Sequence, residues 1–173
     1  MADHKKLVEF FESQGGALMS FALSLLKNRA DAEDACQEMT LQMLRHWEQF
    51  DGNKSLKSWA YTILYRKCLD LLKKRRRFLS FFRKATSQMI TEENEQPDNS
   101  WPACVSEKVF LQLSARERAC LMLWAKEGFS AREIAGVLGL SPGTVRVHLY
   151  QARRKLKQLL ERGNEKKVQL FSG

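Results

Sequence analysis

The sequence predicts an all-α protein: two small helical modules, an N-terminal helical bundle and a C-terminal helix-turn-helix, joined by a flexible acidic linker. Three observations carry that expectation. Apolar residues recur at steps of three and four rather than in alternation. Only three prolines and nine glycines interrupt 173 residues, of which 44% are hydrophobic and 28% charged. Between Ala85 and Ala103 the apolar period disappears, acidic and amide residues dominate, and two of the three prolines fall there. The expected divisions are a first module over 1–84, a linker over 85–103, a second module over 104–162 and a tail over 163–173. A chain of this length can build one core or two small ones.

In the first module, Leu7, Phe10, Phe11, Leu18, Phe21, Leu25 and Leu26 trace an amphipathic helix. Gly15 and Gly16 each cost it roughly 1 kcal/mol relative to alanine, so a kink or a break is expected there. A second helix comes next, with Asp31 as its expected N-cap, acidic residues in its first turn, and Ala32, Cys36, Met39, Met43 and Trp47 along one face. "DGNKSLKS", Asp51 to Ser58, reads as a turn. Helical period returns from Trp59 to Arg77 and ends in an unbroken basic run, Lys73 to Arg77, with more charge than a helix C-terminus requires.

The second module contains Ser-Ala-Arg-Glu twice, at 114–117 and 130–133. Ser-x-x-Glu spells a capping box, in which the serine oxygen accepts from the N3 amide and the glutamate accepts from the serine amide. The first copy opens a helix with Ala119, Leu121, Met122, Leu123 and Trp124 mostly inward, closing at Gly128. The second opens a short helix with Ile134, Ala135, Val137 and Leu138 inward, closing at Gly139. The two helices so opened differ in length and pattern, so the copies are two caps and not a duplicated unit. Ser141 as N-cap and Pro142 at the first helical position then start a long helix. Its inward stripe is Val145, Leu149, Ala152, Leu156 and Leu159, with Thr144, Arg146, Val147, Tyr150, Arg153, Arg154 and Lys157 largely on other faces. A short helix, a glycine turn and a longer basic helix form a helix-turn-helix, whose second helix enters the major groove. A plain helical hairpin with a solvated basic face is the competing reading. The small Ala135, the Gly139 turn and the cations favour DNA.

A formal charge of +9 and a pI near 9.6 predict attraction to polyanions, either nucleic acid or an anionic membrane surface. No stretch approaches the ~18 apolar residues of a membrane span, and the N-terminus lacks the apolar run and cleavage site of a signal peptide, so a cytoplasmic protein is expected. Cys36, Cys68, Cys104 and Cys120 are widely spread, with no CxxC and no nearby histidine pair. They read as reduced core residues, and no metal or other cofactor is expected. Asp31, Glu33, Asp34 and Glu38 could suggest a divalent-metal site for phosphodiester chemistry. With no second acidic cluster, histidine ligand or phosphate-cradling glycine loop, neither an enzyme nor a small-molecule substrate is expected.

"LSARERACLML…GFSAREIAGVLGLSPGTVRVHLYQARRKL" resembles region 4 of bacterial sigma factors, and "RADAEDACQEM…W…F…SLKSWAYTIL…LDLLKKRRR" resembles region 2 of the same proteins. Their order, the linker and the short length are similar to an extracytoplasmic-function (ECF) sigma factor. The resemblance implies a dissociable subunit of core RNA polymerase that recognises promoter DNA. It implies docking on the clamp helices of the large polymerase subunit through Asp34, Gln37 and Glu38. It implies capture and melting of the minus-ten element by Asn53, Lys54, Lys57, Trp59, Tyr61, Arg66 and Lys67. It further implies reading of the minus-thirty-five element through Ser141, Thr144, Arg146, His148, Arg153 and Arg154, an acidic linker threading toward the polymerase active-site channel, and control by an anti-sigma factor. The chain departs from the family's usual residues at Leu56, Tyr65-Arg66, His148 and Gln151, positions that bear on promoter preference rather than on the general role.

Two other readings compete. An autonomous helix-turn-helix regulator would bind duplex DNA without polymerase, but it would need a dimer to span two half-sites and would leave the basic, aromatic first module unexplained. Aromatic rings beside cations suit unstacked bases, although Trp59 and Tyr61 also fit a core, Trp59 as readily as it fits a DNA contact. "KKRRRFLSFFRK", with Phe78, Leu79, Phe81 and Phe82 among cations, also fits a helix lying at a membrane surface.

Overall fold

The computed structural model describes residues 2–53, 55–85 and 107–170, with side chains over 5–53, 55–81 and 109–161. Every regular element among them is helical. The chain divides into two compact units, Met1–Ser100 and Trp101–Gly173. The expected linker lies outside the described residues except for Ala85, which ends a helix.

The first unit is built from α1 (Ala2–Leu26), α2 (Arg29–Arg45) and α3 (Leu56–Ala85), each packed against the other two. Leu18, Phe21 and Leu25 of α1, Ala35, Met39 and Met43 of α2, and Tyr61, Leu64 and Cys68 of α3 are buried between them. α1 runs through Gly15 and Gly16 without interruption, because burial of the apolar stripe on both sides outweighs the poor propensity of two glycines. Lys27, at φ 57°, turns the chain, and its amide donates to Leu23 O at 2.9 Å. Asn28, not Asp31, caps α2: its Oδ1 accepts from the Asp31 amide at 2.8 Å, which puts Asp31 inside the first turn. A short 3₁₀ turn, Trp47–Gln49, comes after α2. α3 begins three residues before the expected Trp59, with the Ser55 hydroxyl accepting from the Ser58 amide at 3.2 Å. Past the bundle every side chain from Lys73 to Arg77 is exposed, as are Phe78 and Phe81.

The second unit contains α4 (Glu107–Phe110), α5 (Ala115–Ala125), α6 (Ala131–Leu138) and α7 (Pro142–Leu170). α7 is its spine, packing on α4, α5 and α6. Both capping boxes form as their sequence requires. Ser114 and Ser130 accept from the Glu117 and Glu133 amides at 3.3 Å, and each glutamate accepts from its serine amide at 2.8 Å. Buried Arg118 donates to the carbonyls of Leu113 and Leu111, which offsets part of the cost of hiding its charge. Burial nevertheless pulls its guanidinium down to about 10, with nearby Glu117 opposing the shift. Gly139 sits at φ 66°, ψ 39°, and the Leu140 amide bonds Ala135 O at 3.0 Å, closing α6 as expected. The residues expected to form a tail continue α7 as far as Leu170, so the boundary at Arg162 is not a helix end.

Cys68 and Cys120 are buried and Cys36 is half-buried, all as free thiols, while Cys104 lies outside the described residues. Burial, with a smaller push from Glu33, drives the Cys36 thiol up to about 11. Burial drives Cys120 to about 11 and, with Cys36 adding to it, Cys68 to about 12. Thiols so hard to ionise are poor nucleophiles.

Candidate nucleic-acid and partner interfaces

α2 turns its core stripe of Ala32, Ala35, Met39 and Met43 inward, which leaves Asp34, Gln37 and Glu38 exposed on the opposite face. Leu41 and Leu44 stand on that outer side, 43% and 45% exposed. Apolar side chains beside acidic ones make a surface suited to a protein partner with a basic rim. Glu38 Oε2 lies 3.5 Å from Lys67 Nζ of α3, so the acidic face of α2 borders the basic side of α3.

At the far end of α2 three aromatic rings form a layered cluster. Phe50 stacks on Trp59 at 4.8 Å and on Trp47 at 5.6 Å, with interplanar angles of 24° and 15°. Beside them is an open cleft of about 340 Å³ lined by Gln42, His46, Gln49, Phe50, Asp51 and Trp59. Flat aromatic walls with amide, imidazole and carboxylate groups at the rim suit a single unstacked base, which needs a stacking surface and edge hydrogen bonds. His46 Nδ1 is 3.2 Å from Gln49 Oε1, holding two of the rim groups together.

In the second unit, α7 starts with the Ser141 hydroxyl accepting from the Thr144 amide at 3.1 Å and lying 2.8 Å from the Thr144 hydroxyl. Both hydroxyls are thus committed to the cap. Val145, Leu149, Ala152 and Leu156 are buried, so Arg146, Arg153 and Arg154 are turned outward and exposed. Arg153 is restrained from two sides: its Nε donates to Leu149 O at 3.2 Å, and its guanidinium carbon lies 4.9 Å from the ring centre of Trp124 on α5. His148 is half-buried with its Nδ1 enclosed and without a hydrogen-bond partner, so only the other edge of the ring is available to a ligand.

Two family models match the chain, one in each unit. Residues 10–78 match the Sigma-70 region 2 family and residues 107–156 match Sigma-70, region 4. The ECF RNA polymerase sigma factor SigL of Mycobacterium tuberculosis (strain ATCC 25618 / H37Rv) is 30% identical over 158 residues, spanning 87% of this chain and 86% of that protein. The chain belongs to the ECF RNA polymerase sigma factors. The sigma factor EcfG of Rhodopseudomonas palustris (strain TIE-1) is 30% identical over 146 residues, 83% of this chain and 79% of its own. Among solved structures, the sigma factor RpoE of Bartonella quintana, in complex with the anti-sigma factor NepR, aligns at a TM-score of 0.73 with 26% identity. That alignment covers 93% of this chain and 98% of RpoE.

Within this ECF sigma factor, most of the residues singled out from the sequence are accessible. Asp34, Gln37, Glu38, Asn53, Arg66 and Ser141 are exposed, and Lys57, Trp59 and Thr144 are half-buried. Tyr61 is a correction. It is fully buried, edge-on to Phe21 at 5.1 Å and 90°, because positions 60, 61, 64, 65 and 68 share the face of α3 that packs on α1 and α2. Lys67 is half-buried and ion-paired with Glu38, and Lys54 lies outside the described residues. Trp124, expected mostly inward, is 43% exposed under Arg153. Sequence reasoning missed Leu41, Leu44, Phe50 and the rim groups of the cleft. For the leucines a signal exists, since their 100° steps fall opposite Met39 and Met43. For Phe50 the signal is partial: Trp47 lies three residues before it in the 3₁₀ turn, but Trp59 comes from α3 and meets it only through the fold.

Proposed function

We propose that this sigma factor binds core RNA polymerase through the outer face of α2, centred on Asp34, Gln37 and Glu38. It holds an unpaired promoter base in the cleft beside Phe50 and Trp59, with Asn53, Lys57 and Arg66 along the strand. It reads the upstream duplex element through α7, using Arg146, Arg153 and Arg154. The observation that carries this reading is the presence, in one chain, of an aromatic cleft fit for single-stranded DNA and a basic helix-turn-helix fit for duplex. Together they supply the two kinds of contact that opening a promoter demands.

The protein acts by binding rather than by catalysis, in the cytoplasm, where polymerase and DNA are. An anti-sigma factor regulates it by covering these surfaces; RpoE, solved with NepR bound, supports that part of the reading.

Run-off transcription with purified core polymerase, with and without the protein, over a pool of genomic promoter fragments tests the proposal. Discrete transcripts that depend on the protein are expected. No new transcripts, together with a footprint by the protein alone on duplex DNA, would establish an autonomous regulator instead.

A further inference from the structure

The rotation of α7 about its own axis is fixed by its buried stripe, Val145, Leu149, Ala152 and Leu156, packed against its neighbours. Arg146, Val147 and Tyr150 are consequently turned to the outside, Val147 at 52% and Tyr150 at 64% exposure. Residues three apart are neighbours on a helix surface, so Val147 and Tyr150 form one small apolar patch.

Folding does not account for that patch. Valine is a poorer helix former than alanine, and at half exposure it adds little to a core already filled by Val145 and Leu149. Isolated apolar residues are common on protein surfaces. These two, however, sit in the first turns of the helix, the part that meets base edges, between the Ser141–Thr144 cap and the cations Arg153 and Arg154. The major groove offers one apolar group to such a patch, the C5-methyl of thymine.

We propose that Val147, flanked by Tyr150, is a specificity-determining contact that reads a thymine C5-methyl in the duplex element bound by α7. The proposal rests on the reading of the second unit as the promoter-duplex module. The two Cγ methyls of Val147 meet the thymine methyl, and the Tyr150 ring shields the contact from water with its hydroxyl left at the wet edge. Arg146, adjacent to Val147, supplies the polar contact to a neighbouring guanine or phosphate.

The test uses the full chain assembled with core polymerase on a promoter fragment recovered by protein-dependent transcription. Each thymine of the upstream element is replaced in turn by deoxyuridine, on either strand, which deletes the methyl and nothing else. One position is expected to lose about fourfold in competition binding, the value of one buried carbon. Val147→Ala should bind the thymine template more weakly by a similar factor and no longer distinguish it from the deoxyuridine one. Alanine is the better helix former at this exposed site, so the variant keeps its fold. Equal binding of all deoxyuridine templates, or discrimination that survives in V147A, overturns the proposal and leaves the initiation reading intact. A native protein that supports no transcript on any template overturns both.

Discussion

Lys155 Nζ lies 2.7 and 2.9 Å from the two carboxylate oxygens of Glu117, joining the middle of α7 to the capping box that starts α5. Glu117 therefore caps the start of its own helix and anchors α7 at once. Burial pushes its carboxyl up, but hydrogen bonds from Lys155 and Ser114 outweigh that push and hold it below the ordinary carboxylate range.

Glu117→Gln keeps an acceptor for the Ser114 amide and removes the charge. A loss of about 1–2 kcal/mol is expected, limited because Lys155 is half in solvent. Urea unfolding of the native protein and of the variant measures it. The contribution from Glu117 is complete above the unfolded-chain carboxylate value, ~4.3, and is lost as pH falls through the lower folded value. The difference between native protein and E117Q should accordingly shrink on acidification below about pH 4.

Two glycines should respond to the same substitution with opposite signs. Gly16 lies within α1 with open space where a Cβ would go, so Gly16→Ala should stabilise by about 0.5–1 kcal/mol. Gly139 has equal room, but its φ of 66° is unfavourable for any residue with a Cβ. Gly139→Ala should cost about 1 kcal/mol or more and loosen the turn between α6 and α7. Thermal melts of both variants read the contrast.

Trp124 and Arg153 should behave as one unit in duplex binding. Arg153→Ala is expected to weaken duplex affinity and reduce the salt slope by about one phosphate. Trp124→Ala, which leaves the charge but releases the guanidinium, should cost about two- to fivefold. In the double variant Trp124→Ala should add little further loss, as a double-mutant cycle detects. Fully additive losses would mean that the ring and the cation act separately.

Charge reversal at Asp34 together with Glu38 should abolish capture of core polymerase while leaving the melting temperature within about 1 °C, since both side chains are exposed and the Glu38–Lys67 pair is a surface one. Leu41→Ala should weaken capture without touching charge, because that side chain stands on the same face. Pull-down of the purified polymerase core checks both.

Chemistry closed within four residues is the part of this fold most legible in the sequence. Both capping boxes and the Gly139 stop depend on neighbours along the chain, and they form as expected. The start of α2 differs from expectation because Asn28 and Asp31 are both good caps, and only the turn at Lys27 decides between them. Tyr61 differs because cations beside an aromatic look alike whether the ring meets a base or a helix. Its burial comes from packing against Phe21, forty residues earlier in the chain. The cleft is invisible in the sequence for the same reason: Gln42, Phe50 and Trp59 become neighbours only when α2 and α3 fold together.

The unbroken course of α3 makes it a ruler. Trp59, at the aromatic cleft, and Lys73, at the start of the basic run, are carried on one rigid rod and stand about 21 Å apart along its axis. That is about six base steps at ~3.4 Å each. One added or removed residue would change the separation by only ~1.5 Å while swinging the cations about 100° around the rod. Length and phase are thus locked together, and the distance from the cleft to the basic run Lys73–Arg77 is set by the backbone itself.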